Sequence, residues 1–429
     1  MNIREYRGGK PPAALERSGV DAFPPEAVAG VRKIVADVRD RGDAAVRDYT
    51  RRFDRVEVGR LRVARAEFTA ARGLAAEPVK RVFRRVRDNI RGYQEAAMAR
   101  DWTAVRSDGA MLGEKVSPVA SAGLYIPGGT APLVSTVFMT VVPAQVAGVP
   151  RIALATPPGP GGKVNPWILA AADFLGVDEV YRAGGAQGIA ALAFGTESVP
   201  RTEMIAGPGN SYVTLAKMEV CGFVRIDMPA GPSEIAIIAD GSARPRVLAA
   251  DMLAQAEHGP GGSCVLISTS RKLLREVARE LSRAEQELPR RRIAAANLKR
   301  GAFLVKVPSI ARAVELANRL APEHLEIVTG KPEAVLQNIE NAGAVFLGES
   351  SPVAVGDYIA GPSHVLPTGG AAAAFSPLSA NDFLKKSSVV GYSREALRKE
   401  AESVALLARL EGLEAHARSI ELRLEEGGR

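Results

Sequence analysis

Residues 151–182 read RIALATPPGPGGKVNPWILAAADFLGVDEVYR, and this stretch decides the fold class. Its two short apolar runs, Ile152–Thr156 and Glu179–Tyr181, predict strands. Between them, Asn165 followed by proline is a helix-start signal, and a glycine closes the predicted helix Trp167–Leu175. A strand, a helix and a second strand in succession indicate a βαβ unit, which belongs to a mainly parallel sheet covered on both faces.

The same alternation of strands and helices continues on both sides of this stretch. One series of short strands is predicted between residues 123 and 226, and a second between 234 and 347. The chain is therefore expected to fold as α/β, with two Rossmann-like modules built on mainly parallel sheets. Helical segments extend this core at both ends, over 25–54 and from Ser393 onward. The other predicted strands are Gly123–Ile126, Glu203–Ala206, Phe223–Ile226, Glu234–Ala239, Cys264–Ser268, Phe303–Val307, Leu325–Val328 and Ala344–Leu347.

The composition indicates an ordinary globular protein. Hydrophobic residues make up 46% and charged residues 24% of the 429 residues, so two or more domains with sizeable cores are expected. No apolar stretch has the length of a signal peptide or a membrane span, which predicts a cytoplasmic protein. The net charge of +8 permits nucleic-acid binding, but between residues 78 and 97 the basic residues lie mostly off an apolar helical stripe, as on a solvated face.

Histidine is scarce in this chain, and each of the four histidines lies in a polar setting. Imidazole is the commonest metal ligand and titrates nearest neutral pH, so the set suggests a metal site, proton transfer or both. The alternative is that each is an isolated surface histidine or one satisfied within the fold. The four are His258, His324, His364 and His416.

A metal site can be drawn around two of these histidines. Gln255 and His258 are three residues apart at the end of a predicted helix, so their side chains share one face and could bind one ion. Asp357 and His416 could complete a set of four nitrogen and oxygen ligands, which suits zinc. Sequence spacing also leaves open that the four residues are unrelated.

Three glycine-rich turns follow predicted strands of the first series. The turn Gly207-Pro-Gly209 has the first two glycines of a dinucleotide fingerprint, with Tyr212 in place of the third and Asp227 as a possible ribose acceptor. One such turn is more often a tight connection than a cofactor site, but three at successive strand ends favour a ligand in the crevice there. The other two turns are Gly184-Gly-Ala-Gln187-Gly188 and Tyr125-Ile-Pro-Gly128-Gly129.

Glu323 and His324 place a carboxylate beside an imidazole, directly after a proline. The pair could supply a general base. Adjacent side chains of an extended segment point to opposite sides. The two are therefore expected to serve separate proton transfers rather than to form one hydrogen-bonded dyad.

Six motifs, in this order, make the chain similar to a known family. They are Tyr125-Ile-Pro-Gly-Gly, Gly207-Pro-Gly-Asn210, Asp227-Met-Pro-Ala-Gly-Pro-Ser233-Glu, Gln255-Ala-Glu-His258, Ala321-Pro-Glu323-His324-Leu-Glu and Gly356-Asp357-Tyr-Ile-Ala-Gly-Pro-Ser-His364-Val-Leu-Pro-Thr-Gly-Gly. The chain resembles the histidinol dehydrogenases from about residue 25 to its C-terminus. One departure is Gly259, where many members have an acidic residue that is not a ligand.

The resemblance implies an NAD-dependent enzyme that oxidises L-histidinol through L-histidinal to L-histidine. It also implies one zinc ion (Zn²⁺) and a homodimer with shared active sites, in which the C-terminal tail is swapped. The implied zinc ligands are Gln255, His258, Asp357 and, from the other subunit, His416. The implied catalytic pair is Glu323 and His324. The implied NAD contacts are Tyr125, Gln187 and Asn210. The implied substrate contacts are Ser233, His364 and Glu411, together with Gln255, His258, His324, Asp357 and His416.

The resemblance further implies how the roles are divided. His324 would take the alcohol proton as hydride leaves for NAD, and Glu323 would activate water to attack the aldehyde, while zinc orients the substrate. Asp227 then becomes a structural residue. The implied domains are an N-terminal segment at 1–24, a discontinuous zinc and catalytic domain at 25–124 and 234–378, an NAD-associated domain at 125–233 and a C-terminal helical tail at 379–429.

Other functions stay open on the sequence alone. A related zinc and NAD dehydrogenase that acts on another small alcohol, such as a sulfonated diol, would share these motifs. A zinc hydrolase would use the metal and Glu323 without NAD. A basic nucleic-acid-binding protein is permitted by the charge, although a small-molecule substrate is expected here, with neither nucleic acid nor a membrane as partner.

Overall fold

The computed structural model describes residues 3–9, 15, 23–128, 132–258 and 261–425. Most of the predicted N-terminal segment 1–24, Gly129 of one glycine-rich turn, and the Gly259-Pro260 pair lie outside the described residues. The strands are β1 (Ile3–Glu5), β2 (Trp102–Val105), β3 (Met111–Pro118), β4 (Ser121–Tyr125), β5 (Arg151–Thr156), β6 (Val180–Arg182), β7 (Met204–Ala206), β8 (Arg225–Ile226), β9 (Glu234–Ala239), β10 (Ser263–Ser268), β11 (Ala302–Lys306), β12 (His324–Val328), β13 (Ala344–Leu347) and β14 (Leu384–Gly391).

The helices cover the parallel sheets and also form the C-terminal end of the described chain. They are α1 (Pro25–Arg41), α2 (Asp43–Phe53), α3 (Arg65–Arg72), α4 (Glu77–Ala97), α5 (Val134–Val146), α6 (Pro166–Phe174), α7 (Gly185–Phe194), α8 (Ser211–Val220), α9 (Pro245–Ala256), α10 (Arg271–Ala284), α11 (Arg291–Gly301), α12 (Ile310–Leu320), α13 (Pro332–Leu336), α14 (Val353–Tyr358), α15 (Arg394–Leu410) and α16 (Glu414–Glu425). The predicted cap of α6 is present, since the side chain of Asn165 accepts a hydrogen bond from Trp167 N.

The first parallel sheet has the strand order β6-β5-β4-β7-β8. The order reverses beside β4, the first of these strands in the chain. Open parallel sheets bind ligands at such a reversal, outside the carboxyl ends of the strands. The three glycine-rich turns of the sequence lie at these carboxyl ends, after β4, β6 and β7.

Helices α1 and α2 pack on this first sheet. Val38 and Val46 are fully buried in one core with Ile189 of α7 and Ile205 of β7. The sequence instead grouped residues 25–124 with the second series of strands. The contacts of α1 and α2 differ from that grouping because their apolar stripes face α7 and α8, while the domain boundaries themselves stay a prediction.

The second parallel sheet has the order β1-β11-β10-β9-β12-β13. Alternate residues of a strand face opposite sides, so Ile237 packs under α9 and α10 whereas Ile238 packs under α12. Both faces are therefore apolar, as a buried parallel sheet requires. The predicted fold class, α/β with mainly parallel sheets and helical ends, is confirmed.

Residues 98–118 and 384–429 form a compact unit separate from 1–97 and 119–383. In it, β14, β3 and β2 make an antiparallel sheet in that order. Helices α15 and α16 pack together around Ala405, Ala408 and Ala417. No helix in the described part of the chain combines the length and the apolar character needed to cross a membrane.

The link between the two parallel sheets decides which of their edges come together. Residues 227–233 connect the end of β8 to the start of β9. The chain therefore leaves the first sheet at its carboxyl edge and enters the second at its amino edge. A connection of this length spans at most about 30 Å, so these two edges lie within that distance of each other.

Candidate active site

Glu323 and His324 lie at the amino edge of the second sheet, where α12 gives way to β12. The helix is capped by Ala321, whose φ of 43° is left-handed, and the following proline directs the chain into the strand. Gly343 passes so close that a Cβ there would lie 2.5 Å from the carbonyl oxygen of Glu323. Both side chains are buried, with exposures of 6% for Glu323 and 3% for His324.

The first residue of β9, Glu234, holds both of these side chains through its backbone. Its N–H donates to Glu323 Oε2 at 2.7 Å, and its carbonyl oxygen lies 3.0 Å from His324 Nδ1. Ser233 Oγ also donates to Glu323 Oε2, at 2.6 Å. Because β9 and β12 are neighbouring strands of one buried sheet, the geometry of the pair is set by the sheet rather than by a loop.

The contact with Glu234 also assigns the proton on the His324 ring. A carbonyl oxygen only accepts, so Nδ1 carries a hydrogen, and Nε2 is the ring nitrogen left for proton transfer. That Nε2 lies 3.8 Å from Asp357 Oδ1. His324 is therefore oriented as a base whose free nitrogen faces the neighbouring carboxylate.

Glu323 and His324 are closer than an extended dipeptide predicts. Glu323 Oε2 lies 3.5 Å from His324 Nδ1, because the carboxylate turns back toward Ser233. The expectation that the two side chains point apart is therefore wrong. The two still do not make a dyad, since each makes its own hydrogen bond to Glu234.

Burial raises the pKa of Glu323 to about 7, and this effect outweighs the opposing influences of His324 and of the hydrogen bonds from Ser233 and Glu234. Removing a carboxylate from water disfavours its charged form. Glu323 therefore gains and loses its proton close to neutral pH. A carboxylate of this basicity is suited to removing a proton from water.

His364 reaches the same cluster from the loop after α14. Its Nδ1 donates to the backbone oxygen of Asp357 at 2.9 Å, which leaves Nε2 to accept from Thr136 Oγ1 at 3.0 Å. Burial lowers the pKa of His364, although nearby Asp357 opposes the change. The ring is thus a neutral link between Asp357 and α5, which covers the first sheet.

Gln255 and His258 are at the end of α9, but not on one helical face. The helix ends at Ala256, so His258 lies beyond it, in a turn where its N–H donates to Gln255 O at 3.3 Å. The prediction that both residues lie on the helix is wrong, because the helix ends two residues before His258. The turn nevertheless keeps the two residues adjacent.

The chemistry of this group fits zinc. Gln255 is 4% exposed, and its Nε2 has no hydrogen-bond partner in the described residues. The side-chain amide can be flipped by 180° with almost no change in shape, so its oxygen can take the position of the unpartnered Nε2. Burial is the largest cause that lowers the pKa of His258. The charge of Asp357 opposes this shift, and that of His324 adds to it. A neutral imidazole, an amide oxygen and a carboxylate are suitable zinc donors.

The described residues do not make a full zinc site by themselves. Nowhere among them do three His, Cys, Asp or Glu side chains form a group that could hold a metal ion. Gln255 would have to serve as a ligand, and a further ligand would have to come from elsewhere. His416 and Glu411, the remaining predicted site residues, are exposed on the separate unit that contains α15 and α16.

Tyr125, Gln187 and Asn210 all lie at the carboxyl edge of the first sheet. Tyr125 ends β4, and its hydroxyl accepts from Gly185 N at 3.1 Å. Gln187 is buried in the first turn of α7. Asn210 caps α8, accepting from two backbone N–H groups at 3.0 and 3.1 Å. Helix N-termini at such an edge bind the phosphates of nucleotides.

The carboxylate of Asp227 supports the glycine-rich turn after β7. It forms an ion pair with Lys217 in which the two side chains are 0% and 1% exposed. Asp227 Oδ2 accepts from Gly207 N at 2.8 Å, and Lys217 Nζ donates to Gly207 O at 3.1 Å. The expectation that Asp227 accepts a ribose is therefore wrong, since its oxygens already have partners. Its structural role agrees with the one that the resemblance implies.

Two residues of the cluster were not singled out by the sequence. Glu234 stands next to Ser233 in a quoted motif, and an acidic residue at the start of an apolar strand is a signal that could have identified it. The contacts are made by its backbone, however, and they can be seen only when β9 and β12 are paired in the structure. Thr136 gave no signal, because its partner His364 is 228 residues away.

Comparison with known proteins adds an independent line of evidence. A family profile described as histidinol dehydrogenase matches residues 20–424. The histidinol dehydrogenase of Bacillus subtilis (strain 168) is 50% identical over 423 residues, which cover 99% of each chain. That of Geobacillus kaustophilus (strain HTA426) is 48% identical over 427 residues, 100% of each chain. The crystal structure of histidinol dehydrogenase from Elizabethkingia anophelis matches with a TM-score of 0.92 at 34% identity, covering 99% of this chain and 98% of that one.

Proposed function

The chain belongs to the histidinol dehydrogenase family, and from this premise we propose that it performs the family reaction at the cluster around His324. It oxidises L-histidinol through L-histidinal to L-histidine, the last two steps of histidine biosynthesis, with NAD and zinc as cofactors. The main observation in support of this site is that the backbone of Glu234 binds the side chains of both Glu323 and His324.

His324 is the base for both oxidation steps in this proposal. In the first step it takes the hydroxyl proton of the alcohol as a hydride leaves the same carbon, which becomes an aldehyde. The support is the ring orientation: Nδ1 is bound to Glu234 O, and Nε2 is free to accept a proton. His324 then releases that proton to the solvent, and in the second step it takes a hydroxyl proton from the hydrated aldehyde as a second hydride leaves, which produces the acid.

Glu323 prepares the hydrated aldehyde between these two steps. It removes a proton from water as the water oxygen bonds to the aldehyde carbon. The support is its pKa, raised to about 7 by burial, because a base works best when its pKa is near the working pH. Ser233 Oγ, which donates to the same carboxylate, is placed to orient it and to contact the substrate.

Gln255, His258 and Asp357 are proposed to hold the zinc ion, with His416 of the partner subunit as a fourth ligand. When bound, zinc supplies a positive centre that orients the imidazole and amine of the substrate. The support is the unpartnered, buried Gln255 amide and the neighbouring His258 and Asp357. His364, whose Nδ1 binds the Asp357 backbone, and Glu411 are proposed to contact the substrate.

Tyr125, Gln187 and Asn210 are proposed to bind NAD, which accepts the hydride in each step. Their support is their place at two helix N-termini and one strand end of the same sheet edge. Residues 227–233 keep this edge within about 30 Å of the amino edge that carries His324. The short link therefore limits how far the proposed NAD contacts can lie from His324.

A homodimer with exchanged C-terminal tails is also proposed. Helix α15 leaves Leu406, Leu407 and Leu410 exposed to 58%, 61% and 75%. A cluster of exposed leucines on one helix marks a surface that is covered in an assembly. The cytoplasm is proposed as the location, because this is where amino-acid biosynthesis draws its NAD and substrates.

The reaction is tested with purified protein, L-histidinol and NAD, by following NADH absorbance. We expect NADH to form, to be lost after treatment with a chelator and to return when zinc is added. Zinc-loaded protein that forms no NADH would refute the assignment of the substrate.

The shared site is tested by mixing two inactive variants, His416→Ala and His324→Ala. After random exchange of equal amounts, half of the dimers are mixed and each has one intact site of two. We therefore expect recovery of about a quarter of the wild-type activity. No recovery after verified subunit exchange would exclude the exchanged tail.

A further inference from the structure

Two glycines pack closely against the carboxyl end of β5, where Thr156 is buried. A Cβ on Gly128 would lie 2.8 Å from Thr156 Oγ1, and a Cβ on Gly184 would lie 2.6 Å from the Cβ of Pro157. Both distances are too short for a side chain. The backbones after β4 and β6 therefore come close to the end of β5, as they do where a protein binds a nucleotide.

Asp54, which caps the C-terminal end of α2, brings a carboxylate close to this strand end from outside the sheet. Its Oδ1 lies 3.5 Å from the position that a Cβ on Gly184 would occupy. The charge of Asp54 also acts on the hydroxyl of Tyr125, whose pKa it helps to raise. The carboxylate is thus close to both the glycine turn and one of the residues proposed to bind NAD.

Two polar atoms at this place lack hydrogen-bond partners in the part of the chain that the structure describes. They are Asp54 Oδ2 and Thr156 Oγ1. Thr156 is fully buried. Buried polar groups without partners are rare, and each needs an explanation. A carboxylate accepts hydrogen bonds and a hydroxyl both accepts and donates, so each of these atoms can bind a hydroxyl group of a ligand.

The strand order identifies which ligand hydroxyl groups fit. In a sheet that starts at its centre and reverses there, the second strand ends beside the adenosine ribose, and an acidic residue there binds the 2′-hydroxyl. Here the second strand is β5, and it ends at Thr156 without an acidic residue of its own. Asp227 cannot substitute, because it is buried against Lys217.

We propose that Asp54 and Thr156 bind the adenosine ribose of NAD, and that Asp54 makes the enzyme select NAD over NADP. The inference rests on the proposed function, since it adds a contact to the same cofactor site. A 2′-phosphate would face the Asp54 carboxylate, where like charges repel and the hydroxyl donor is lost. Asp54 is a specificity residue in this scheme and takes no part in proton transfer.

The test compares Asp54→Asn with wild type for three cofactors: NAD, NADP and the NAD analogue that lacks the adenosine 2′-hydroxyl. With wild type, we expect loss of that hydroxyl to raise KM by about tenfold or more, as for a hydrogen bond to a charged group. Asp54→Asn should raise KM for NAD by a similar factor without changing KM for histidinol. The KM values of Asp54→Asn for NAD and for the deoxy analogue should then be similar. The ratio of its KM for NADP to its KM for NAD should be smaller than that of wild type.

Asp48→Asn is the matched control, because Asp48 lies on α2 itself and its side chain is 43% exposed and paired with Arg41 and Arg51. It should leave all three KM values unchanged. Equal discrimination against the deoxy analogue by wild type and Asp54→Asn would overturn the proposal. If Asp54→Asn does not fold, Thr156→Val replaces it, and a wild type that binds NAD and the deoxy analogue equally well refutes the contact. These affinities are also measured by direct titration, so inactivity with histidinol would count against the reaction alone.

Discussion

The ion pair between Lys217 and Asp227 should be the main support of the glycine-rich turn after β7. The perturbation is Asp227→Asn, which keeps the shape and the acceptor for Gly207 N but removes the charge. Lys217 is 1% exposed, so its ammonium would remain buried with only Gly207 O as a partner. Breaking a buried pair in this way costs about 3–5 kcal/mol of unfolding free energy.

The assay is urea unfolding at pH 7, followed by circular dichroism. The control is the double variant Lys217→Met with Asp227→Asn, which removes both charges. It should be more stable than Asp227→Asn alone by about 2 kcal/mol or more, because no unpaired charge is left. The reasoning is refuted if the unfolding free energy of Asp227→Asn stays within about 0.5 kcal/mol of wild type. It is also refuted if the double variant loses as much unfolding free energy as Lys217→Met and Asp227→Asn lose separately when added together.

Three further predictions concern the catalytic cluster. Because burial raises the pKa of Glu323 to about 7, the rate of histidinal oxidation should rise as the pH increases through 7, and a pH profile of Glu323→Gln should lack this rise. Because of the same raised pKa, the folded protein keeps a proton that the unfolded chain releases. The contribution of this carboxyl to the free energy of unfolding should therefore be lost as the pH rises from about 4.5 to 7. Melting temperatures of wild type and Glu323→Gln, measured across this pH range, test this. His324→Asn should lower kcat by about 10²- to 10⁴-fold with unchanged zinc content by metal analysis, whereas Asp357→Ala should lower the zinc content itself; the opposite pattern would exchange their roles.

Much of the fold follows from local sequence signals. The bounds of β9 and β13 are as predicted, and Asn165 caps α6, because short apolar runs and caps act over a few residues. The end of α9 was misjudged for a related reason. Gly259 and Pro260 were taken as the stop, but the helix ends at Ala256, since a stop signal limits a helix without fixing its last turn.

The site could be predicted only in part, because its contacts join distant parts of the chain. The resemblance named Glu323 and His324, but no local pattern shows that Glu234 holds them 90 residues away. The same applies to Asp54, which lies on a helix that the sequence assigned to the other module. A carboxylate that arrives from outside the sheet cannot be found by counting from a glycine motif, and the count led to Asp227 instead.

The position of β1 has a consequence for synthesis on the ribosome. Ile3 pairs with Leu304 at the edge of the second sheet, and Tyr6 N donates to Lys306 O at 3.0 Å. The ribosome adds about 5–20 residues per second, so β1 waits roughly 15–60 s before its partner strand has been made. During that time β1 lacks its neighbour, and an unpaired strand can pair with a strand of another nascent chain. Nascent chains held close together on one messenger RNA would face this hazard most, and early chaperone binding to the first residues would reduce it.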